Sequence, residues 1–252
     1  MAGWEQTGLE RDVSRRVGAA ITRVVSAGSR EVLLAALPLP DSAQVVESLG
    51  GAPVTCPDMR LLADEARSAG RVLVVDNTLA TSFGSSPARR GGHVVVERLG
   101  GNEGEGTSAW AVSLSRDARS VPGLREAVAT LPRVGEETQE AIRAQLPARE
   151  EERRLSNDEA AVLASYLVCH PRVAAVRYPG LATDPSHEAA AALLHNGFGP
   201  MVDFALAEGV PAPMSIGSLD LTQHDGWWRV AVRTSSPTDP LRTVRLLEKA
   251  LR

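Results

Sequence analysis

The run Val72-Leu73-Val74-Val75-Asp76-Asn77-Thr78 constrains this chain more than any other stretch. Four consecutive apolar residues, three of them β-branched, predict a short strand buried on both faces. It ends in an acid, an amide and a hydroxyl, as a central strand of an α/β sheet does where it delivers polar residues to a ligand crevice. Residues 58–70 have apolar positions at helical spacing, close on Gly70 and feed the strand directly. That order predicts a helix–loop–strand unit. Asp76 is then either a local turn cap or a fixed negative charge facing a ligand.

Composition narrows the class. At 252 residues the chain can bury one large core, or one medium and one small. A net charge of −4 argues against a nucleic-acid partner. No apolar run reaches transmembrane length and the N-terminal stretch is polar, so neither a membrane span nor a signal peptide is expected. Cys56 and Cys169 give no disulfide or metal framework and suggest packed thiols in a reducing compartment. The expected location is the cytoplasm. Among the 27 basic residues Lys249 is the single lysine. It sits at the cationic end of an amphipathic terminal helix over residues 241–251, where a solvated charge suits the helix dipole.

Along the chain, residues 1–17 read as a polar lead or the start of a helix. Residues 18–27 read as a helix ended by Gly28, and residues 32–37 as a short strand. After the 58–78 unit comes a turn-rich stretch over 82–92, then strands at 93–97 and 110–115 and a helix within 121–130. The mixed charges of residues 150–154 read as a solvated helix face. Residues 157–167 read as a helix capped by Asn157 or Asp158. His170 and His187 lack the spacing of a helical zinc site, so no metal is expected. His93 reads as a structural histidine, and the Gly100–Gly106 loop, with Glu103 and Glu105, as a flexible loop and not a phosphate cradle.

Several motifs together resemble the Cys/Met-metabolism family of pyridoxal-phosphate enzymes, the cystathionine synthases, cystathionine lyases and methionine γ-lyases. The stretch 75–78 is similar to the family's V-D-N-T. Glu47-Ser48, with Asp58-Met59 ten residues on, is similar to its E-(S/T)-P-x-N-P … D-(I/M). The clearest match is His170-Pro171 through Tyr178-Pro179-Gly180-Leu181, followed by Asp184-Pro185-Ser186-His187, Gly197-Phe198-Gly199 and Met201-Val202-Asp203-Phe204. Ser215-Ile216-Gly217-Ser218-Leu219 resembles S-L-G-G-x-x-S-L, and residues 229–235 resemble l-v-R-l-S-v-G.

The resemblance implies an α/β protein of the fold-type I, aminotransferase-like class. It would have a truncated large domain with a mostly parallel sheet over residues 1–150, and a small C-terminal α/β domain over 151–252. It further implies that Asp76, with Thr78, faces the cofactor's ring nitrogen, which lets the ring act as an electron sink. Ser215 and Arg233 fall at the substrate, Arg233 being the match for an arginine that grips an α-carboxylate. Several departures stand against catalysis. Gly101 falls at the Schiff-base lysine and Arg98 at the serine before it. Arg16-Val17-Gly18 replaces Ser-Gly-Met, residues 145–150 replace R-G-L-K-T-L, and a segment with a stacking tyrosine is missing. No residue is therefore assigned as catalytic, and whether the chain is an enzyme stays open. The leading expectation is a degenerate homologue, a pseudoenzyme that acts by binding and pairs with itself or with an active relative. The alternative is a sulfur amino-acid lyase or synthase that holds pyridoxal phosphate noncovalently and takes an amino-acid ligand. The absent segments are expected to expose sheet edge and so favour oligomers.

Overall fold

The computed structural model describes residues 4–100, 107–214, 219–233, 239 and 241–252. They divide into two compact units. One comprises the chain up to Ser48 together with Asp58–Leu146, and the other comprises Leu49–Pro57 together with Pro147–Arg252.

The first unit begins with helix α1 (Gly8–Val17), closed at its start by a reciprocal cap. The Thr7 hydroxyl accepts from the Glu10 amide, and the Glu10 carboxylate accepts from the Thr7 amide at 2.9 Å. Glu10 is fully buried and also accepts from the Val24 amide at 2.9 Å and from Arg133 at 2.8 Å. Each of its lone pairs therefore meets a donor, which buried charge requires. Gly18 ends the helix with φ 79°, the left-handed region that glycine enters without cost.

Here the structure corrects two expectations. Residues 18–27 are not a helix: Ile21–Ala27 is strand β1, paired antiparallel from Ile21 opposite Leu114 to Ala27 opposite Ser108. The β-branched Ile21, Thr22, Val24 and Val25 fit a pleated strand, and Gly18 marks the preceding helix's end. Residues 32–37 are not a strand. Helix α2 (Arg30–Ala35) covers 32–35 and a turn follows, with the Ser29 hydroxyl accepting from the Val32 amide. A short run of leucine and alanine carries no period long enough to separate the two states, and the cap decides.

The sheet continues with β2 (Gln44–Glu47), helix α3 (Met59–Ser68) capped by Asp58, and β3 (Leu73–Asp76). A short helix α4 (Thr81–Gly84) and a 3₁₀ turn (Pro87–Arg90) lead to β4 (Val94–Gly100) and β5 (Ser108–Leu114). A 3₁₀ turn at Asp117–Ser120 and helix α5 (Leu124–Thr130) follow. The strand order is β1-β5-β4-β3-β2, with β2–β3 and β3–β4 parallel and both pairings of β5 antiparallel. Four of the five strands thus point the same way, as the fold class requires. All four residues of β3 are buried, and Val74, Val94, Val96, Val112 and Leu124 lie in one core cluster.

Helix α6 (Glu136–Val168) runs for 33 residues and carries Pro147 in its interior. Asn157 is therefore no cap. It is buried mid-helix, and its side-chain amide donates to the Asn196 carbonyl at 2.7 Å. In the second unit, strands β6 (Val173–Arg177), β7 (Met201–Leu206), β8 (Leu221–His224) and β9 (Trp227–Ala231) form an antiparallel sheet in the order β6-β7-β9-β8. Helix α7 (His187–Leu193) precedes β7, and α8 (Arg242–Ala250) closes the chain. Leu163 and Leu167 of α6, Phe204 of β7, Val230 of β9 and Leu247 of α8 share the core with Tyr178.

Candidate functional site

The three parallel strands end together. Glu47 lies opposite Asp76 and Asp76 opposite Val96, while the Ser48 amide donates to the Asp76 carbonyl and the Asn77 amide to the Val96 carbonyl. The register therefore gathers Glu47-Ser48, Asp76-Asn77-Thr78 and Glu97-Arg98 at one edge, the carboxyl ends of the strands, where open α/β sheets bind ligands.

Asp76 is already engaged there. One of its oxygens accepts from the Thr78 amide at 2.8 Å, an Asx turn that fixes the carboxylate's aim. The other accepts from Arg30 Nη1 at 3.0 Å. Arg30 opens α2 and also donates to Glu47 at 3.2 Å and Glu31 at 3.1 Å. Burial works against the Arg30 charge, but the hydrogen bond and field of Asp76, joined by those of Glu31, outweigh it and raise its pKa above the ordinary guanidinium value. The Thr78 hydroxyl accepts from the Arg98 amide at 3.2 Å, tying the end of β3 to β4.

Beneath this edge lies a buried polar group. Asn77 Oδ1 accepts from the Ser48 hydroxyl at 2.7 Å, and Glu97 Oε1 from the Ser82 hydroxyl at 3.2 Å. Burial pushes the Glu97 pKa up to about 7, against the opposing pull of the neighbouring Ser82 and Asn77. Sequence reading missed Glu97 as a titrating group. The signal was its place in an apolar strand, four residues after His93.

In the second unit, Arg233 lies just beyond β9, with its side chain 82% exposed and paired with Asp220 at 2.9 Å. Ser215 lies outside the described residues, as does the 101–106 part of the glycine-rich loop. Arg229, which sequence reading passed over, is differently placed. It stands opposite Asp203 across β7 and β9 and binds it through two parallel bonds, Nε to Oδ1 at 2.8 Å and Nη2 to Oδ2 at 2.7 Å. The Asp203 side chain is 1% exposed and that of Arg229 17%. The Val54 amide donates to the same carboxylate, and Arg229 donates to the Gly51 carbonyl, so the pair also holds the 49–57 segment. Counted from Trp227, the l-v-R-l-S-v-G pattern puts its arginine at Arg229. Where that family shows serine in M-x-S-F, this chain has Asp203.

The histidines have local partners. His93 Nδ1 accepts from the Leu73 amide at 3.1 Å. The His187 ring bonds the Pro179 carbonyl at 2.8 Å and stacks on Phe198. His170 faces Glu248 at 3.4 Å. Among the described residues no group of three His, Cys, Asp or Glu side chains could hold a metal, and no helix is long and apolar enough to cross a membrane.

Comparison with known proteins bears directly on this arrangement. Residues 152–224 match the profile of the Cys/Met metabolism PLP-dependent enzyme family. Over that segment the chain resembles the Cys/Met-metabolism family. A putative cystathionine gamma-lyase of Streptomyces coelicolor is 29% identical over 174 residues, 66% of this chain and 43% of that protein. The cystathionine gamma-lyase of Bacillus subtilis is 26% identical over 202 residues, 78% of this chain and 52% of that protein. The chain thus spans about half the length of the curated relatives it matches. Crystal structures of a cystathionine gamma synthase from Xanthomonas oryzae and a methionine gamma lyase from Micromonospora echinospora both superpose with TM-score 0.70. Identities are 20% and 19%, with 96% and 97% of this chain covered and 84% and 85% of theirs. These likenesses establish the fold.

As it stands, the strand-end edge does not offer a free carboxylate to the ring of pyridoxal phosphate. The aspartate suited to a pyridinium N–H is paired with a permanent cation. The chain's one lysine, Lys249, lies in the last turn of α8.

Proposed function

We propose that this chain is a non-catalytic relative of the transsulfuration enzymes and acts by binding. The observation that carries the proposal is Arg30 on Asp76. A pyridinium approaching that carboxylate would have to displace a guanidinium already hydrogen-bonded to it and to Glu47, and two cations repel at one carboxylate. The Asp203–Arg229 pair adds support: a built-in carboxylate holds the arginine that the motif count assigns to the substrate's carboxylate. In this proposal Asp76 and Thr78 brace the strand ends, and Arg229 takes the place first given to Arg233.

An absorption titration with pyridoxal phosphate, followed by borohydride, tests this on the wild type and on Arg30→Ala. The wild type should give no imine band and no fixed label on an internal residue, and Arg30→Ala should take up cofactor reversibly and more tightly. A fixed internal label in the wild type, or keto acid released from cystathionine, overturns the proposal. Wild-type uptake that is tight and reversible would favour the noncovalent enzyme.

The proposed partner is a second copy or an active relative, met through the sheet edge. Among the described residues β2 pairs on one side only, with β3. Its Val45 is 46% exposed, and Val32 on α2 is 59% exposed. Light scattering should show an oligomer that Val45→Lys dissociates, and a monomeric wild type would count against self-pairing. The proposed location is the cytoplasm, in keeping with two free cysteines, one of them buried.

A further inference from the structure

At the opposite end of the parallel strands from Asp76 lies a cavity of about 380 Å³, lined by Ala63 and Arg67 of α3, Gly91, His93, and Arg116 and Asp117 after β5. His93 immediately precedes β4 and its amide donates to the Leu73 carbonyl at the start of β3. Asp76 is three residues further along β3, about 10 Å away at the rise of a strand.

Ser120 also lines the cavity, its hydroxyl donating to the Asp117 carbonyl at 2.7 Å; the remaining polar groups are of three kinds. The first is an oriented donor. His93 Nδ1 accepts from the Leu73 amide, so the neutral ring carries its proton on Nε2, which has no hydrogen-bond partner among the described residues. Burial, reinforced by the Arg67 charge, lowers the His93 pKa against the opposing pull of Asp117 and so favours the neutral ring. The second is positive charge. Arg116 is exposed and forms no ion pair among the described residues. Among the described residues Arg67 pairs only with Asp64, at 2.6 Å, and both side chains are about 70% exposed, a pair that holds weakly in water. The third is the Asp117 carboxylate. The floor is small and apolar: a Cβ on Gly91, whose φ is 100°, would lie 2.4 Å from that of Ala63.

Two guanidiniums and an N–H donor favour a carboxylate, whereas Asp117 repels a multiply charged anion and accepts from an ammonium. We propose that this cavity binds a free α-amino acid, its carboxylate on Arg116, Arg67 and His93 Nε2–H and its ammonium on Asp117, with a small side chain toward Ala63 and Gly91. Such a site is separate from the strand-end edge and does not depend on whether that edge is catalytic.

Calorimetric titration of the full chain with alanine, acetate, methylamine and inorganic phosphate tests it. Saturable binding of alanine, at least about tenfold tighter than that of acetate or methylamine, is expected. Arg116→Ala should weaken alanine binding about tenfold, and Asp117→Asn should leave acetate binding intact while removing the preference for alanine. Both positions are exposed, so folding is spared, and the circular dichroism spectrum verifies that. Arg30→Ala and Arg233→Ala should leave alanine binding unchanged. No saturable alanine binding, a preference for phosphate, binding indifferent to both cavity variants, or binding lost in Arg233→Ala each overturns the proposal.

Discussion

Glu97 is the side chain whose ionisation the fold opposes most plainly. It is 4% exposed, accepts one hydroxyl hydrogen bond from Ser82, and leaves Oε2 without a hydrogen bond among the described residues. Its pKa rises from 4.5 to about 7, so between those values the folded chain holds a proton that the unfolded chain has released. More protons bound in the folded state means that stability falls as pH rises. Glu97's contribution is fully present below about pH 4.5 and is lost by about pH 7, a span on the order of 3 kcal/mol. Urea unfolding at pH 5 and pH 8 should show the wild type losing stability relative to Glu97→Gln over that interval. Parallel profiles for the two proteins would show that the buried carboxyl does not titrate there.

At the scale of elements, what was legible followed the length of the pattern. The 58–78 unit was readable because Asp58 caps, Gly70 stops and an all-apolar strand follows, three signals in agreement. Residues 18–27 misled because Gly18 closes the helix before them and does not open a new one. Residues 32–37 misled because six apolar residues satisfy helix and strand equally. The 157–167 helix was seen, but its start was set at polar residues that suit a cap, whereas the charged run from Glu136 extends the helix back and Asn157 bonds across to Asn196 instead. The site was half legible for a related reason. Asp76 stood out at a strand end, but its partner Arg30 lay in a helix mistaken for a strand. Asp203 and Arg229 are 26 positions apart and meet only through the register of β7 and β9. That cross-strand pair makes its own prediction. Asp203→Ala leaves a guanidinium largely buried without its counter-charge and should cost about 3–5 kcal/mol in urea unfolding. Arg229→Ala strands the carboxylate in the same way, so the double variant should cost clearly less than the sum of the two, by more than about 1 kcal/mol. Additive losses would mean that the two residues act separately.

At the scale of the molecule, the two units have separate cores. The cluster around Val74, Val112 and Leu124 draws only on the first unit, and that around Leu163, Phe204 and Leu247 only on the second. Sequence motifs could not reveal this division in full, because Leu49–Pro57 belongs with the second unit although its neighbours on both sides belong to the first. That excursion is held within the second unit by the Asp203–Arg229 pair, a link between residues roughly 150 positions apart. Each unit is large enough to sustain a cooperative core of its own, so unfolding should not be a single two-state step. Phe204 is fully buried, and Phe204→Ala should cost the second unit about 3–5 kcal/mol. Scanning calorimetry should then show a lower-temperature transition split from one that keeps the wild-type midpoint, with a van't Hoff enthalpy below the calorimetric enthalpy. Val112→Ala, in the other core, should move the complementary transition. If both substitutions instead shift one transition equally, with the two enthalpies matching, the cores unfold as a single cooperative body, and the division seen in the packing has no thermodynamic counterpart.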